Sequence, residues 1–180
     1  DYASEFAYET STKVYPPLRS QFDVDVLVDA LSEGLIDAIA TDHAPHDSMS
    51  KQVTYEDAAF GISVLETALG SALELVHQRK LSMGAMVSRL TQGPARVLGD
   101  SFADLATIEP GTPADIVLFD PDKEWTVDTS KFASKGKNTP LEGTNLKGRV
   151  LATIASGRLA YQSDELKFQK TNAGTNVANP

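Results

Sequence analysis

An α/β fold is predicted by three features of this sequence. The first is a short apolar run, Leu35-Ile36-Asp37-Ala38-Ile39, whose shortness and β-branched content read as a buried strand, followed directly by Ala40-Thr41-Asp42-His43-Ala44-Pro45-His46. The second is helical spacing on both sides of that run, with Val24, Leu27, Val28 and Leu31 before it and Ile62, Leu65, Leu69, Ala72, Leu73 and Val76 after it. The third is a change of character near Asp100, beyond which apolar residues come in short runs bounded by Gly, Pro and Asp. A carboxylate and two imidazoles at the end of a buried strand, with Pro45 forbidding a regular continuation, are what a parallel α/β enzyme presents at the carboxyl edge of its sheet.

The 180 residues suffice for one core, or a core and a small satellite. With 16 Lys+Arg against 25 Asp+Glu the formal charge is −9, which repels phosphate backbones and anionic lipid, so neither nucleic acid nor a membrane surface is an expected partner. The absence of cysteine excludes disulfides, thiolate metal sites and thiol nucleophiles, leaving His and carboxylate as the donors for any metal. No apolar stretch has the length of a membrane span and no leader opens the chain, so a soluble cytoplasmic protein is expected. The chain opens on Asp1 without a helix start or strand pattern, and is expected to begin mid-domain.

In order, residues 1–12 read as loop and Lys13-Val14-Tyr15 as a short strand stopped by Pro16-Pro17. A helix runs from about Phe22 to Glu33, closed by Gly34 in the left-handed conformation, and the strand over 35–41 follows. After a polar loop, Asp47 to Asp57, the second helical face runs from Ile62 to His77, where His77 has a structural reading at the helix C-terminus. Ser82 caps a helix to Leu90 with Met86, Val87 and Leu90 inward, and Pro94 starts a short one to Leu98, ended by Gly99. Residues 115–121 read as a strand that Pro121 closes and Trp125-Thr126-Val127 as another. Residues 149–155 and 159–161 flank Ser156-Gly157-Arg158 as a hairpin. Between them, Ser134-Lys135-Gly136-Lys137-Asn138-Thr139-Pro140 reads as a solvated basic loop and Ser163 to Pro180 as a polar tail.

The chemistry centres on Asp42. A carboxylate at a strand end can ligate a cation through one oxygen while the other takes a proton from metal-bound water; equally, Asp42 can simply cap the next turn between two surface histidines. His46, beyond Pro45, suits binding of a substrate carboxylate better than ligation of the same metal. One ligand is not a site, and no second His/Asp cluster with ligand spacing occurs in the sequence.

Tyr15-Pro16-Pro17-Leu18-Arg19, Asp42-His43-Ala44-Pro45-His46, Ala59-Phe60-Gly61 with Leu65-Glu66-Thr67, Gly111-Thr112-Pro113-Ala114-Asp115, and Lys135-Gly136-Lys137-Asn138-Thr139-Pro140 occur in an order and spacing that resembles the class I, bacterial-type dihydroorotases over about residues 13–160. The resemblance covers only the C-terminal part of a family member. It implies the last βα units of a metal-dependent-hydrolase (β/α)₈ TIM barrel over 1–99, a segment of a small β-sandwich over 100–162, and a tail over 163–180. It further implies a zinc-dependent enzyme, with one or two ions, interconverting N-carbamoyl-L-aspartate and L-dihydroorotate in pyrimidine synthesis. By this match Asp42 is catalytic, both zinc ligand and proton carrier, His46 binds the substrate carboxylate, and the Phe60-Gly61 backbone holds the ring. The implied partners are the missing N-terminal portion, a second copy, or aspartate transcarbamoylase; taken alone, the chain is expected to be inactive and to bind zinc weakly.

Two positions depart from the resembled pattern: Tyr15 stands where Asn is usual before Pro-Pro-Leu-Arg, and Val64 where Gly is common. The amide's paired donor and acceptor are lost in a phenol. Tyr15 and the metal ligands missing from this sequence motivate a second reading, an inactive dihydroorotase-like scaffold for aspartate transcarbamoylase; allantoinase or hydantoinase is a third.

Overall fold

The computed structural model describes residues 8–166. The loop expected before residue 8 and most of the expected polar tail, from 167 on, lie outside the described residues. Within them, a 3₁₀ turn (Thr10–Thr12) precedes helices α1 (Gln21–Glu33), α2 (Ala68–His77), α3 (Met83–Leu90) and α4 (Gln92–Leu98), then a 3₁₀ segment (Asp100–Ala106). Strand β1 (Ile116–Thr126), a 3₁₀ turn (Thr129–Lys131), β2 (Asn145–Ala155) and β3 (Arg158–Gln162) complete the order. The strands form one sheet in the order β1-β2-β3. The described residues divide into two compact units, one of 8–112 with 120–149, the other of 113–119 with 150–166. No helix among the described residues is long and apolar enough to cross a membrane.

The helices form where local signals place them. Ser20 caps α1, its hydroxyl accepting from the Asp23 amide, and Gly34 ends it at φ 85°. The Asp23 carboxylate in turn accepts from Ser20 Oγ at 2.9 Å and Arg19 Nε at 3.2 Å, and these bonds hold its carboxyl below the ordinary value. Of the predicted inward face only Leu31 is buried; Val24 and Leu27 are exposed, because nothing among the described residues lies over them. Helix α2 begins at Ala68, later than its apolar period suggests, and buries Gly70, Ala72 and Leu73. His77 Nε2 lies 3.0 Å from the Pro121 carbonyl, a structural use of that ring. Ser82 caps α3 through the Ala85 amide, and Met86 is fully buried. Val87, predicted inward, is exposed. Helix α4 starts two residues before Pro94, which is tolerated because the first four amides of a helix have no intrahelical acceptor to lose.

Three strand predictions need correction. Residues 35–41 form no ladder and are only partly buried: the Leu35 and Ile36 amides turn back to Ala30 O, and the Ile39 amide reaches Arg89 O at 2.9 Å. A strand is defined by its neighbours, and none among the described residues lies alongside this run. Residues 13–15 are likewise not a strand. Pro121 does not close β1, which continues to Thr126 and absorbs the predicted strand at 125–127. As an end member of the sheet order β1 can carry a residue without an N–H, and Asp120 Oδ1 accepts the next two amides, from Asp122 at 2.9 Å and Lys123 at 3.1 Å.

The predicted hairpin is present. Ser156 (φ 49°) and Gly157 (φ 74°) are both left-handed, as a two-residue type I′ turn requires, and Ala155 pairs with Arg158. The register slips between Thr153 and Ile154.

Helix α2 meets β2 at two glycines. A Cβ on Gly70 would lie 3.1 Å from Leu146 Cδ1, and one on Gly148, at φ 100°, would lie 2.1 Å from Cδ1 of the fully buried Leu73. We expect Gly148→Ala to cost about 2–4 kcal/mol, the sum of overpacking and left-handed strain. Gly143→Ala is the control: at φ 75° it carries the strain, but nothing lies within 4 Å of its Cβ. Its cost should stay near 1–2 kcal/mol, roughly the strain alone. Chemical denaturation of the two variants separates the terms; equal costs would mean that Leu73 yields freely.

Candidate functional site

Asp42 begins the site in an unusual conformation. Its φ is 47°, a region that costs an ordinary residue about 1–2 kcal/mol and that Asp tolerates better than most. The residue is exposed, whereas His43 beside it is half-buried and bonded in several directions. His43 forms a parallel bridge to Ile62, and the Ala44 amide donates to Ile62 O at 3.0 Å. Its Nδ1 accepts from the Val64 amide at 3.1 Å and the Leu65 amide at 3.3 Å, so the ring proton belongs on Nε2, which faces Ser134 Oγ at 3.3 Å. The Ser134 amide donates to Glu66 Oε1 at 2.9 Å. Both nitrogens of His43 are therefore committed to holding the turn before α2 against the 134–138 loop.

His46 differs. Its Nε2 lies 2.8 Å from the Phe60 carbonyl, which can only accept, so Nε2 carries a proton and donates. Among the described residues, Nδ1 has no hydrogen-bond partner. The His46 amide donates to Asn138 Oδ1 at 2.7 Å while Asn138 Nδ2 donates to Gly61 O at 2.9 Å, so one side-chain amide joins the two segments. Gly61, at φ 126°, has no room for a side chain: a Cβ would lie 2.5 Å from Ala44 Cβ and 2.8 Å from Ala44 O.

Residues 134–138 are accordingly not the solvated loop that their composition suggests. Gly136 is buried, and a Cβ there would lie 2.6 Å from both Pro45 Cβ and His46 O. Its carbonyl accepts from Ser63 Oγ, and the Asn138 carbonyl accepts from the Ser63 amide at 2.7 Å. Lys135 and Lys137 remain exposed. Together with His46, Lys51, Gln52 and Asn138 they line a cavity of about 510 Å³, a small-molecule size. Asn138 and Gly136 are the residues that sequence reasoning missed; the signal available was a Gly and an Asn inside an otherwise charged loop, positions that close backbone approach demands.

Phe60 is exposed, with the Tyr15 ring edge-on at 6.1 Å between centroids. The Gly61 amide donates to Lys13 O at 2.9 Å. Among the described residues the Phe60 and Gly61 carbonyls each accept one hydrogen bond, from His46 Nε2 and Asn138 Nδ2, and keep a second lone pair. The structure thus brings His46, Phe60 and Gly61 together through direct contacts, with Asp42 at the start of the same turn. Among the described residues no group of three or more His, Asp or Glu could hold a metal ion, so the donor set in this chain does not by itself fit a zinc site.

The fold and this turn define a class. The chain belongs to the amidohydrolase family, which matches residues 16–160. Within that family it is similar to the dihydroorotase of Caldanaerobacter subterraneus subsp. tengcongensis, 48% identical over 166 residues, and to that of Pelotomaculum thermopropionicum, 50% identical over 156. These alignments take in 92% and 86% of the chain but 37% and 36% of the relatives, so the chain spans little more than a third of their length. Among solved structures it is similar to the L-hydantoinase (dihydropyrimidinase) of Arthrobacter aurescens, with a TM-score of 0.81 at 29% identity over 93% of this chain and 37% of that one. The dihydropyrimidinase of Brevibacillus agri gives 0.77 at 26% identity, over 85% and 34%. The α/β class and the amidohydrolase barrel fold predicted from the sequence are met by these likenesses, as is the resemblance to dihydroorotases.

Replacing Asn138 by Ala should lower stability by about 1–3 kcal/mol, because it strips partners from both the His46 amide and the Gly61 carbonyl. Calorimetry of the variant checks this; an unchanged melting temperature would mean that water replaces the amide without loss.

Proposed function

We propose that the protein to which these residues belong is a cyclic amidohydrolase interconverting N-carbamoyl-L-aspartate and L-dihydroorotate. The observation that carries this reading is the built turn from Asp42 to His46, braced on Gly61 and Asn138, in a chain about half identical to dihydroorotases. Asp42 is the proton carrier: its carboxylate takes a proton from the attacking water and delivers it to the ring nitrogen as the carbon–nitrogen bond breaks. In the reverse direction it takes the proton back as the ring closes. An exposed carboxylate at a strained backbone position suits that task.

His46 binds the carboxylate that both substrates retain. With Nε2–H fixed on the Phe60 carbonyl, a protonated ring turns Nδ1–H outward for a charge-assisted bond. The free lone pairs of the Phe60 and Gly61 carbonyls suit the ring N–H groups. In a chain of net charge −9, Lys135 and Lys137 line the cavity with Lys51 against the one carboxylate of Asp47, a local excess of positive charge that suits an anionic substrate. Zinc, one or two ions, belongs to this reading with Asp42 as the single ligand offered here. The reading requires further ligands from beyond the described residues. Residues 1–99 are read as the last βα units of the barrel, 100–162 as part of the β-sandwich and 163–180 as a tail. Tyr15, together with the missing metal ligands, favours the second reading, a non-catalytic scaffold.

In the full-length gene product, Asp42→Asn keeps a residue that tolerates the left-handed region and should lower kcat by about 10²–10⁴ with the fold unchanged. Ring opening of dihydroorotate, followed beside hydantoin and allantoin, is the assay. Undiminished turnover in the variant would sink the role of Asp42, preference for hydantoin or allantoin would change the substrate, and an inert wild type would favour the scaffold.

A further inference from the structure

Two lysines beside the site are almost fully buried, Lys13 at 5% exposed and Lys51, which reaches the cavity wall, at 6%. Buried lysines ordinarily have a carboxylate for company. These have carbonyls. Lys51 Nζ donates to Ala59 O at 2.6 Å, Thr10 O at 2.9 Å and Lys13 O at 3.3 Å, one acceptor for each of its hydrogens. Lys13 Nζ donates to Tyr55 O at 2.6 Å and Glu56 O at 2.9 Å, and it lies 4.4 Å from the Phe60 ring centroid and 5.2 Å from that of Tyr55. Burial, and secondarily the neighbouring Lys13 cation, hold the Lys51 ammonium below the ordinary lysine range.

Two like charges placed side by side are a costly way to fill space that Met or Leu would fill. What the ammonium adds is reach. Lys51 gathers carbonyls from two separate stretches, residues 10–13 and Ala59, and Ala59 immediately precedes Phe60. Lys13 O is shared, accepting from both Lys51 Nζ and the Gly61 amide. The position of the Phe60 carbonyl, on which His46 is oriented, is thereby tied to Lys51.

We propose that Lys51 is a positioning residue: its ammonium, bonded to the Thr10, Lys13 and Ala59 carbonyls, sets the register of the Ala59-Phe60-Gly61 edge and through it the orientation of His46. The inference rests on reading His46, Phe60 and Gly61 as the substrate subsite. It assigns Lys51 no contact with reacting atoms.

The test uses the full-length protein with Lys51→Met, Lys51→Ala and Lys51→Arg. Lys51→Met keeps the stem and removes the cation; Lys51→Arg keeps the charge in a planar fork that cannot meet three converging carbonyls, and it covers the case in which the Met variant fails to fold. For Met and Arg we expect KM for dihydroorotate to rise at least about tenfold with kcat within about threefold, since ground-state and transition-state binding are lost together. The 47–59 loop should become susceptible to native-state cleavage at Glu56 by a glutamate-specific protease. In Lys51→Ala, added ethylammonium but not ethanol should restore a low KM, which a role in filling space alone would not permit. Unchanged KM with an uncleaved loop overturns the proposal, as does a joint fall of KM performance, kcat and melting temperature that no amine rescues. Should the wild type turn over no dihydroorotate, the subsite reading falls, and the protease comparison still decides the tether.

Discussion

Three stretches of main chain meet with no space for a methyl group between them: Ala44 to His46, Gly61 to Ser63, and Gly136 to Asn138. The rest of the site depends on that closeness. Because Gly61 and Gly136 lack side chains, carbonyls and amides of separate segments come within hydrogen-bond reach, and the Asn138 amide closes the last gap with a donor on one side and an acceptor on the other. A histidine mounted on such a junction has its position set by backbone, which moves less than side chains do. The tolerance is correspondingly small, and any Cβ at either glycine would push the His46 turn away from its supports.

The two histidines of the motif show how identical side chains are put to different use. Val64 and Leu65 amides leave His43 no choice of tautomer, and its remaining proton faces Ser134, so the ring serves as a brace. His46 meets an acceptor instead of a donor, and that single reversal leaves its other nitrogen for a ligand. Which imidazole is which could not be told from the order of residues, since it depends on whether an amide or a carbonyl arrives from elsewhere in the chain.

The same distinction governs what was legible in the sequence. Helix ends at Gly34 and Ser82 and the Ser156-Gly157 turn were readable because their signals act within four residues, whereas the cap at Ser20 was not picked out. The run at 35–41 carried a strand composition, yet a ladder depends on neighbours that no local pattern reports. Pro121 misled because a proline stops a central strand but not one at the end of a sheet. At the site, Asp42 and His46 stood out by residue type. The 134–138 loop looked solvated because its hydrogen-bond partners lie at and beyond His46, 92 positions from Asn138, and Lys51, inside a polar loop, was not singled out.

Sequence distance has a consequence in time. The bonds that build the junction close spans of 92, 77 and 73 residues, and those of Lys51 to Thr10 close 41, whereas the caps and turns around them close three or four. Loops of such length cost more entropy to close and are rewarded only once the intervening helices are in place, so the junction assembles late in folding. Late contacts that rest on a few polar groups are also the ones that open locally at the least cost. Mild heat or denaturant is therefore expected to loosen this junction before the helices, while the circular dichroism still looks native.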